Sequence, residues 1–270
     1  MGVKVTTLVD NCVKGRGILA EHGLSMLFET QGSLLLFDTG ASNLFLENAK
    51  TLNKNIGDID YLILSHGHSD HTGGIKAFLN ANTKAKVICK TSILTPKYRG
   101  TRENGICDIE EIESSRFIFI DKLTELTKGF FVMPDIDILN NKDTHFSNFE
   151  IMTKEGRIPD KFEDELAIVI EHENKISIFS ACSHRGITNI ISSVRKDFPY
   201  QKLNYLVGGF HLVDSPIDDT LYISDFLKND TPDYIGVCHC TGVESFSALK
   251  NEFKERVFYN YCGSELIIHK

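Results

Sequence analysis

The sequence predicts an α/β protein in which two β-sheets carry helices on their outer faces. Three observations predict this class. Apolar stretches of strand length recur between Gly, Asn and Asp residues, and helical spacing falls between pairs of these stretches. The second half of the chain repeats the arrangement of the first. With 41% hydrophobic and 24% charged residues among 270, the chain can bury a sizeable core.

The first half begins with strands and then alternates strands with helices. Apolar stretches bounded by turn residues are interpreted as strands at 3–9, 24–29, 34–37, 61–64 and 86–89. Apolar residues that recur every three or four positions predict helices at 43–52 and 71–79.

The second half shows the same alternation. Its predicted strands lie at 166–171, 175–179, 203–207, 234–237, 257–259 and 266–268. Its predicted helices lie at 187–195, 217–227 and 244–253. Because no short-period repeat or linker occurs, a single domain over residues 1–270 is favoured. Residues 91–147 are less regular and are interpreted as an insertion that borders a site, with a plain surface excursion as the alternative.

Charge and cysteine usage limit the classes of partner. The net charge of -8, from 29 Lys and Arg against 37 Asp and Glu, disfavours a nucleic-acid partner but allows a small phosphorylated substrate. No apolar run approaches the roughly 20 residues of a membrane span, and the first residues carry no hydrophobic signal region. Seven cysteines without framework spacing fit a reduced compartment. We therefore expect a cytoplasmic protein with a small-molecule substrate.

A histidine cluster follows the predicted strand at 61–64. Within Ser65 to Gly74, the chain carries the four candidate metal ligands His66, His68, Asp70 and His71. Neutral imidazole and carboxylate both bind zinc and similar divalent metals. His66 and His68 are two residues apart and can reach one ion, whereas Asp70 and His71 face a second ion. The spacing therefore predicts a binuclear metal site.

This HxHxDH pattern resembles the signature of the metallo-β-lactamase superfamily. The resemblance implies an αββα sandwich of two mixed β-sheets with helices on the outer faces and a metal site at one edge. Residues 36–40, Leu-Phe-Asp-Thr-Gly, resemble the early strand-end aspartate of this family. Asp38 is accordingly expected to support the metal loop without binding metal itself.

Four further segments resemble one branch of the superfamily, the dihydropteroate-synthase-like group. These segments lie at 21–25, 180–186, 208–212 and 239–242. The branch includes a methanogen synthase that joins a dihydropterin to a ribofuranosylaminobenzene phosphate. His184 and His239 each follow an apolar strand and are carried over as metal ligands. Four residues are expected beside the ligands or the substrate: Glu21, His22, Cys182 and Cys240.

The chain departs from the family pattern before the strand at 166. Many members carry a histidine there, but this chain has Asp160, Glu163, Asp164 and Glu165. Either His184 replaces the missing histidine, or an acidic residue such as Asp164 supplies the ligand and His184 takes part in bridging. Cys182 falls near the position of the family's bridging Asp or Cys.

Other polar residues receive weaker assignments. His211 is the candidate proton donor to a leaving group, with a metal ligand or substrate contact as alternatives. His145, His172 and His269 are assigned to the surface. The basic residues Lys97, Arg99 and Arg102 form a candidate phosphate site, or a loop that is basic by chance.

These residues together predict a metal-dependent hydrolase. Two divalent ions, zinc first and manganese or iron as alternatives, would activate a hydroxide, with Asp70 and His211 as catalytic residues. A small phosphoester, a cyclic phosphate or a lactone would suit such a site. The alternatives are a pterin-linked condensing synthase of the same branch, a diiron redox protein, or a metal-binding sensor. The diiron alternative is disfavoured by His68, where flavodiiron proteins tend to have Glu.

Overall fold

The computed structural model describes residues 2–106 and 114–268. Within these ranges, the strands in chain order are β1 (Val3–Val9), β2 (Ser25–Glu29), β3 (Leu34–Phe37), β4 (Tyr61–Ile63), β5 (Lys86–Cys89), β6 (Lys97–Arg99), β7 (Arg102–Glu103), β8 (Phe117–Phe119), β9 (Thr124–Thr127), β10 (Phe130–Met133), β11 (Phe149–Thr153), β12 (Gly156–Pro159), β13 (Ala167–His172), β14 (Lys175–Phe179), β15 (Lys202–Gly208), β16 (Tyr234–Val237), β17 (Val257–Tyr259) and β18 (Glu265–Ile268). The α-helices are α1 (Leu44–Thr51), α2 (Ser69–Thr72), α3 (Ile75–Ala81), α4 (Ile187–Asp197), α5 (Ile217–Asn229) and α6 (Val243–Phe253).

The chain divides into two compact units. Unit 1 comprises Met1–Asp121, Phe146–Asp164 and Tyr261–Lys270, and unit 2 comprises Lys122–His145 and Glu165–Asn260. Each unit contains a seven-stranded mixed sheet. The predicted α/β class with two mixed sheets is thereby confirmed, whereas one domain with an insertion stays a prediction.

The large sheet of unit 1 has the strand order β18-β1-β2-β3-β4-β5-β8. Strands β3, β4, β5 and β8 run parallel, and the others pair antiparallel. Helices α1 and α3 cover one face, where Phe45 and Phe78 pack in one core with Leu36 and Leu62. The parallel strands end at the same edge, so residues that follow β3 and β4 are brought close together.

The large sheet of unit 2 has the order β17-β16-β15-β14-β13-β10-β9. Strands β14 to β17 run parallel. Helices α4, α5 and α6 contribute Ile190, Ile223 and Leu249 to its core. The segments that follow β14, β15 and β16 therefore also share one edge.

The helix predicted at 71–79 is divided into α2 and α3. The interruption falls at Gly73, where a Cβ atom would lie 2.2 Å from the carbonyl oxygen of Ala41. Only glycine lets the backbone after β3 come this close. The apolar periodicity continues across the break, which is why the pattern did not reveal it.

Unit 1 also contains a small sheet with the order β12-β11-β6-β7. Two of its strands, β6 and β7, lie in the described part of 91–147, and the other two, β11 and β12, follow that segment. The sequence pattern predicted none of the four. These strands have two to five residues, which is too short for a clear apolar alternation. None of the helices in the described ranges is long and apolar enough to cross a bilayer.

Candidate metal centre

The HxHxDH segment leads from β4 into α2 in unit 1. His68 is the residue that precedes α2, with extended backbone angles, and Asp70 and His71 lie in the helix itself. His66 and His71 are fully buried, and His68 is 3% exposed. The ring of His66 lies 4.8 Å from the ring of His68 and 4.4 Å from that of His71. The motif therefore gathers three buried imidazoles; with Asp70 we call them the motif cluster.

Asp38 anchors this cluster from the end of β3. It adopts a left-handed backbone conformation with φ of 61°. One carboxylate oxygen accepts from the N–H of Ser65 at 2.8 Å, and the other accepts from Ser65 Oγ at 2.6 Å and from His71 Nδ1 at 2.7 Å. Because the carboxylate only accepts, His71 carries its proton on Nδ1 and its lone pair on Nε2. Asp38 thus has the geometry of a residue that orients a ligand.

The same chain of hydrogen bonds extends to His66. Ser65 Oγ gives its only proton to Asp38, so at 2.9 Å it accepts a proton from His66 Nδ1. The lone pair of His66 is then on Nε2, as in His71. Burial, together with the neighbouring His71 and His68, holds the pKa of His66 well below its usual range. Burial also raises the pKa of Asp38, although His71 partly opposes this. The neutral form of His66, which is the metal-binding form, is favoured.

Asp70 is the most accessible member of the motif cluster. Its side chain is 17% exposed, and its Oδ2 lies 3.8 Å from His71 Nε2 and 3.3 Å from His22 Nε2. The amide Nδ2 of Asn11 lies 3.1 Å from His22 Nδ1, so His22 accepts on Nδ1 and carries its proton on Nε2, towards Asp70. Glu21 accepts from the backbone and hydroxyl of Ser42 and holds the loop before α1. His22 thus contacts the cluster, and Glu21 shapes its surroundings.

A buried ion triad supports the loop that carries the HxHxDH segment. Lys97 Nζ lies 2.6 Å from Asp160 Oδ2 and 3.1 Å from Asp164 Oδ1, and all three side chains are at least 97% buried. Burial lowers the pKa of Lys97, but the two carboxylates outweigh it, so the pKa is raised and Lys97 is charged. Asp164 Oδ2 accepts from the N–H of Gly67 at 2.7 Å. The interpretation of Lys97 as a phosphate-binding residue is therefore wrong, because its ammonium group is already paired and buried.

Gly67 fits tightly between the motif and this triad. A Cβ atom would lie 2.8 Å from Lys97 Cε and 2.9 Å from the carbonyl oxygen of Ile93. We expect Gly67→Ala to lower the free energy of unfolding by about 1–3 kcal/mol, as overpacking does. Urea denaturation would measure the loss. Gly57→Ala is the control, because its Cβ would meet no atom closer than 3.4 Å. Equal midpoints for the two variants would contradict the prediction.

Unit 2 contains a second group of candidate ligands, which we call the cysteine–histidine cluster: Cys182, His184, His211, His239 and Cys240. Cys182 and His184 follow β14, His211 follows β15, and His239 and Cys240 follow β16. Parallel strands thus deliver all five residues to one edge. His211 and His239 both have left-handed backbone angles, with φ of 51° and 49°.

The ligand atoms of this cluster form two groups. Cys182, His184 and His211 offer one ligand atom each within 4.8 Å of one another, and so do Cys182, His239 and Cys240. The rings of His184 and His211 lie 4.1 Å apart. Glu165 accepts from the backbone N–H groups of His184 and Arg185, both at 2.7 Å, which fixes the turn after β14. Cys182 is the residue common to the two groups.

His145 lies beside this cluster and was missed by the sequence analysis. Its assignment to the surface is wrong: its side chain is 8% exposed, and its ring lies 5.4 Å from that of His211. Its N–H donates to the carbonyl of His184 at 2.8 Å. Asp143 accepts from the N–H and hydroxyl of Thr188 and holds this segment at the start of α4. The polar sequence around His145 resembles an exposed loop, so no pattern indicated burial. His269 lies outside the described residues.

The donor set of both clusters fits divalent metal. Imidazole, thiolate and carboxylate are the ligands that zinc prefers, and they lie here in buried, closely spaced groups. In the motif cluster, the protons of His66 and His71 are directed to Ser65 and Asp38, which leaves Nε2 as the ligand atom.

Comparison with known proteins agrees with this geometry. The family model of the metallo-beta-lactamase superfamily matches residues 19–147. The chain is 31% identical, over 94% of its length and 92% of the relative's, to 7,8-dihydropterin-6-methyl-4-(beta-D-ribofuranosyl)-aminobenzene-5'-phosphate synthase of Methanocaldococcus jannaschii.

Solved structures give the same result. The crystal structure of Tm1679, a metal-dependent hydrolase of the beta-lactamase superfamily, matches with a TM-score of 0.88 and 30% identity, covering 99% of this chain and all of that one. The metallo-beta-lactamase fold protein YhfI of Bacillus subtilis matches with a TM-score of 0.60 and 15% identity over 99% of this chain and all of that one, which supports the fold alone. The HxHxDH segment, its supporting aspartate and these relatives lead to one conclusion: the chain belongs to the metallo-β-lactamase superfamily.

Proposed function

We propose that the protein is a metal-dependent hydrolase with a binuclear site, acting on a small phosphoester, cyclic phosphate or lactone. The observation that carries the proposal is the motif cluster, in which three buried imidazoles converge and two of them have their protons directed away from the cluster. The 30% identity to Tm1679, a metal-dependent hydrolase, supports the reaction class.

Six residues are proposed as ligands: His66, His68, Asp70, His71, His184 and His239. Asp164 is not among them, because its two oxygens are used by Lys97 and Gly67. We therefore favour His184 as the replacement for the missing family histidine. When bound, two divalent ions would lower the pKa of a water molecule towards neutrality and neutralise charge that develops on the substrate.

The protein's own groups have distinct proposed tasks. Asp70 Oδ2, the exposed end of the motif cluster, would orient the attacking water and accept its proton. His22, which points Nε2–H at the same oxygen, would hold that carboxylate in place. His211 would donate a proton from its imidazole to the leaving group, and its contact with the rings of His184 and His145 fixes its orientation.

A second candidate is a condensing synthase. The relative from Methanocaldococcus jannaschii that is 31% identical is named as a synthase that forms a pterin-linked phosphate compound. In that case the same ligands would hold metal, but the enzyme would join two substrates. The substrate is proposed as a small molecule in either case. A cytoplasmic location stays part of the proposal; Cys12, Cys89, Cys182, Cys238, Cys240 and Cys262 form no disulfide.

Metal analysis with a turnover assay tests the proposal. Protein purified without an affinity tag or added metal should contain about two equivalents of zinc or manganese per chain. It should hydrolyse at least one member of a panel of phosphoesters, cyclic phosphates and lactones, lose that activity on chelation and regain it with zinc. Bound iron with a visible absorption band would favour a redox protein over a hydrolase. Condensation of a pterin with an arylamine phosphate, without hydrolysis, would select the synthase. A folded protein that binds no metal would refute both.

A further inference from the structure

Two buried cysteines of unit 2 have no task in the proposed mechanism. Cys182 follows β14, and Cys240 follows β16, with β15 between these strands. The side chains are 2% and 3% exposed, respectively. Their Sγ atoms lie 3.4 Å apart, whereas a disulfide would need about 2.05 Å. Both are thiols held side by side.

A histidine completes this pair. The ligand atoms of Cys182, His239 and Cys240 all lie within 4.8 Å of one another. Two thiolates on one tetrahedral zinc, each with a Zn–S bond of about 2.3 Å, are about 3.8 Å apart, close to the observed separation. The backbone supports this placement, because the left-handed turn at His239 directs two consecutive side chains to the same edge.

Two other buried cysteines, Cys89 and Cys262, behave as structural thiols. Burial raises the pKa of Cys89 and of Cys262 to about 12. Cys262 Sγ also donates to the carbonyl oxygen of Leu8 at 3.0 Å. Neither belongs to a group of candidate ligands in the described part of the chain. Cys182 and Cys240 differ from them by facing each other and a histidine.

We propose that Cys240 is a metal ligand, and that with Cys182 and His239 it gives the second metal site two sulfur donors. This rests on the proposed function, since it concerns the ligands of the same centre. Each thiol releases one proton to solvent when it binds, and no electron is transferred. Cys182 also lies within 4.8 Å of the ligand atoms of His184 and His211.

Sulfur donors would determine which metal the centre holds. Thiolate favours zinc and other soft or borderline ions, whereas manganese and magnesium favour oxygen donors. The second site is therefore expected to bind zinc and cobalt much better than manganese. Of the metals that the sequence left open, zinc is therefore favoured over manganese at this site.

X-ray absorption at the zinc edge tests the proposal without using activity. The probe is the full chain loaded with zinc alone, at two equivalents. Wild type should show a sulfur shell at about 2.3 Å. Each of Cys182→Ala and Cys240→Ala should reduce that shell, and the double variant should remove it. Cys240→Ala should also weaken zinc binding at least about tenfold. Cys238→Ala, a change at an equally buried neighbour, should leave the shell intact.

Cobalt gives an independent readout. Cobalt-loaded wild type should show sulfur-to-cobalt charge-transfer absorption in the near ultraviolet, reduced in Cys240→Ala. Two zinc ions with only nitrogen and oxygen neighbours would overturn this proposal and leave the proposed function standing. An unchanged sulfur shell in Cys240→Ala would overturn it as well. A wild-type chain that binds no zinc would overturn both proposals.

Discussion

Replacing Asp38 by Ala is expected to lower the free energy of unfolding by about 3 kcal/mol or more, because three buried donors lose their acceptor at a cost of about 1–3 kcal/mol each. The change removes the acceptor of Ser65 N–H, Ser65 Oγ and His71 Nδ1 in a fully buried place. Buried donors without an acceptor lose their hydration with no compensation. Alanine also tolerates the left-handed backbone at this position less well than aspartate does.

Asp38→Ala should weaken metal binding as well as lower the stability of the protein. Without Asp38, Ser65 Oγ is free to turn its proton towards His66, and His71 is no longer held in one tautomer. Loss of such a supporting carboxylate typically weakens metal binding 10–100-fold. Zinc titration of the purified variant would measure this effect, and thermal or urea unfolding would measure the stability.

Asp60→Ala is the matched control for Asp38→Ala. Asp60 also accepts a backbone N–H, that of Leu34, and a side-chain N–H, that of Lys84. Its side chain is 36% exposed, so we expect a loss of at most about 1 kcal/mol. If Asp38→Ala and Asp60→Ala cost the same and bind zinc like wild type, Asp38 does not support the centre.

Lys97→Met should have a comparably large effect on stability. It leaves the carboxylates of Asp160 and Asp164 buried without their cation, which typically costs about 3–5 kcal/mol. Methionine preserves most of the side-chain volume, so the loss reports charge more than packing. Lys196→Met, which breaks an exposed pair with Asp137, should leave the midpoint of unfolding close to that of wild type.

The cost of Lys97→Met should depend on pH in a defined direction. Burial already raises the pKa of Asp164, and Lys97 opposes this, so removing Lys97 raises that pKa further. A carboxyl whose folded pKa exceeds its unfolded value of about 3.9 destabilises the fold most when it is ionised. The penalty is therefore fully present above the folded pKa and shrinks as the pH falls through it. Unfolding at pH 7 and pH 5 measures this, and a penalty that grows at pH 5 would contradict it.

The sequence predicted the parts of the site that are local in the chain. His66, His68, Asp70 and His71 fall in one loop after a strand, and strand ends also located Asp38 and the residues of unit 2. The apolar strands are well predicted because parallel central strands are buried on both faces and read as continuous hydrophobic runs.

Contacts between distant segments could not be predicted in this way. Lys97 pairs with carboxylates 63 and 67 residues away, and only the folded structure shows that its ammonium group is already paired. Likewise, His145 lies in a polar segment that is held at the start of α4 by the hydrogen bond from the hydroxyl of Thr188 to Asp143. Isolated polar residues carry no periodicity, so their partners are set by tertiary packing alone.

The pairing of β18 with β1 bears on how the chain folds during synthesis. Val3 lies opposite Ile268, so strands from opposite ends of the sequence close one side of the unit 1 sheet. Such long-range pairing has a high contact order and forms slowly. Until β18 emerges from the ribosome, β1 presents an open edge with unpaired backbone groups, the feature that promotes intermolecular strand pairing. Unit 2, which is drawn mainly from the continuous stretch Glu165–Asn260, can complete its own sheet earlier.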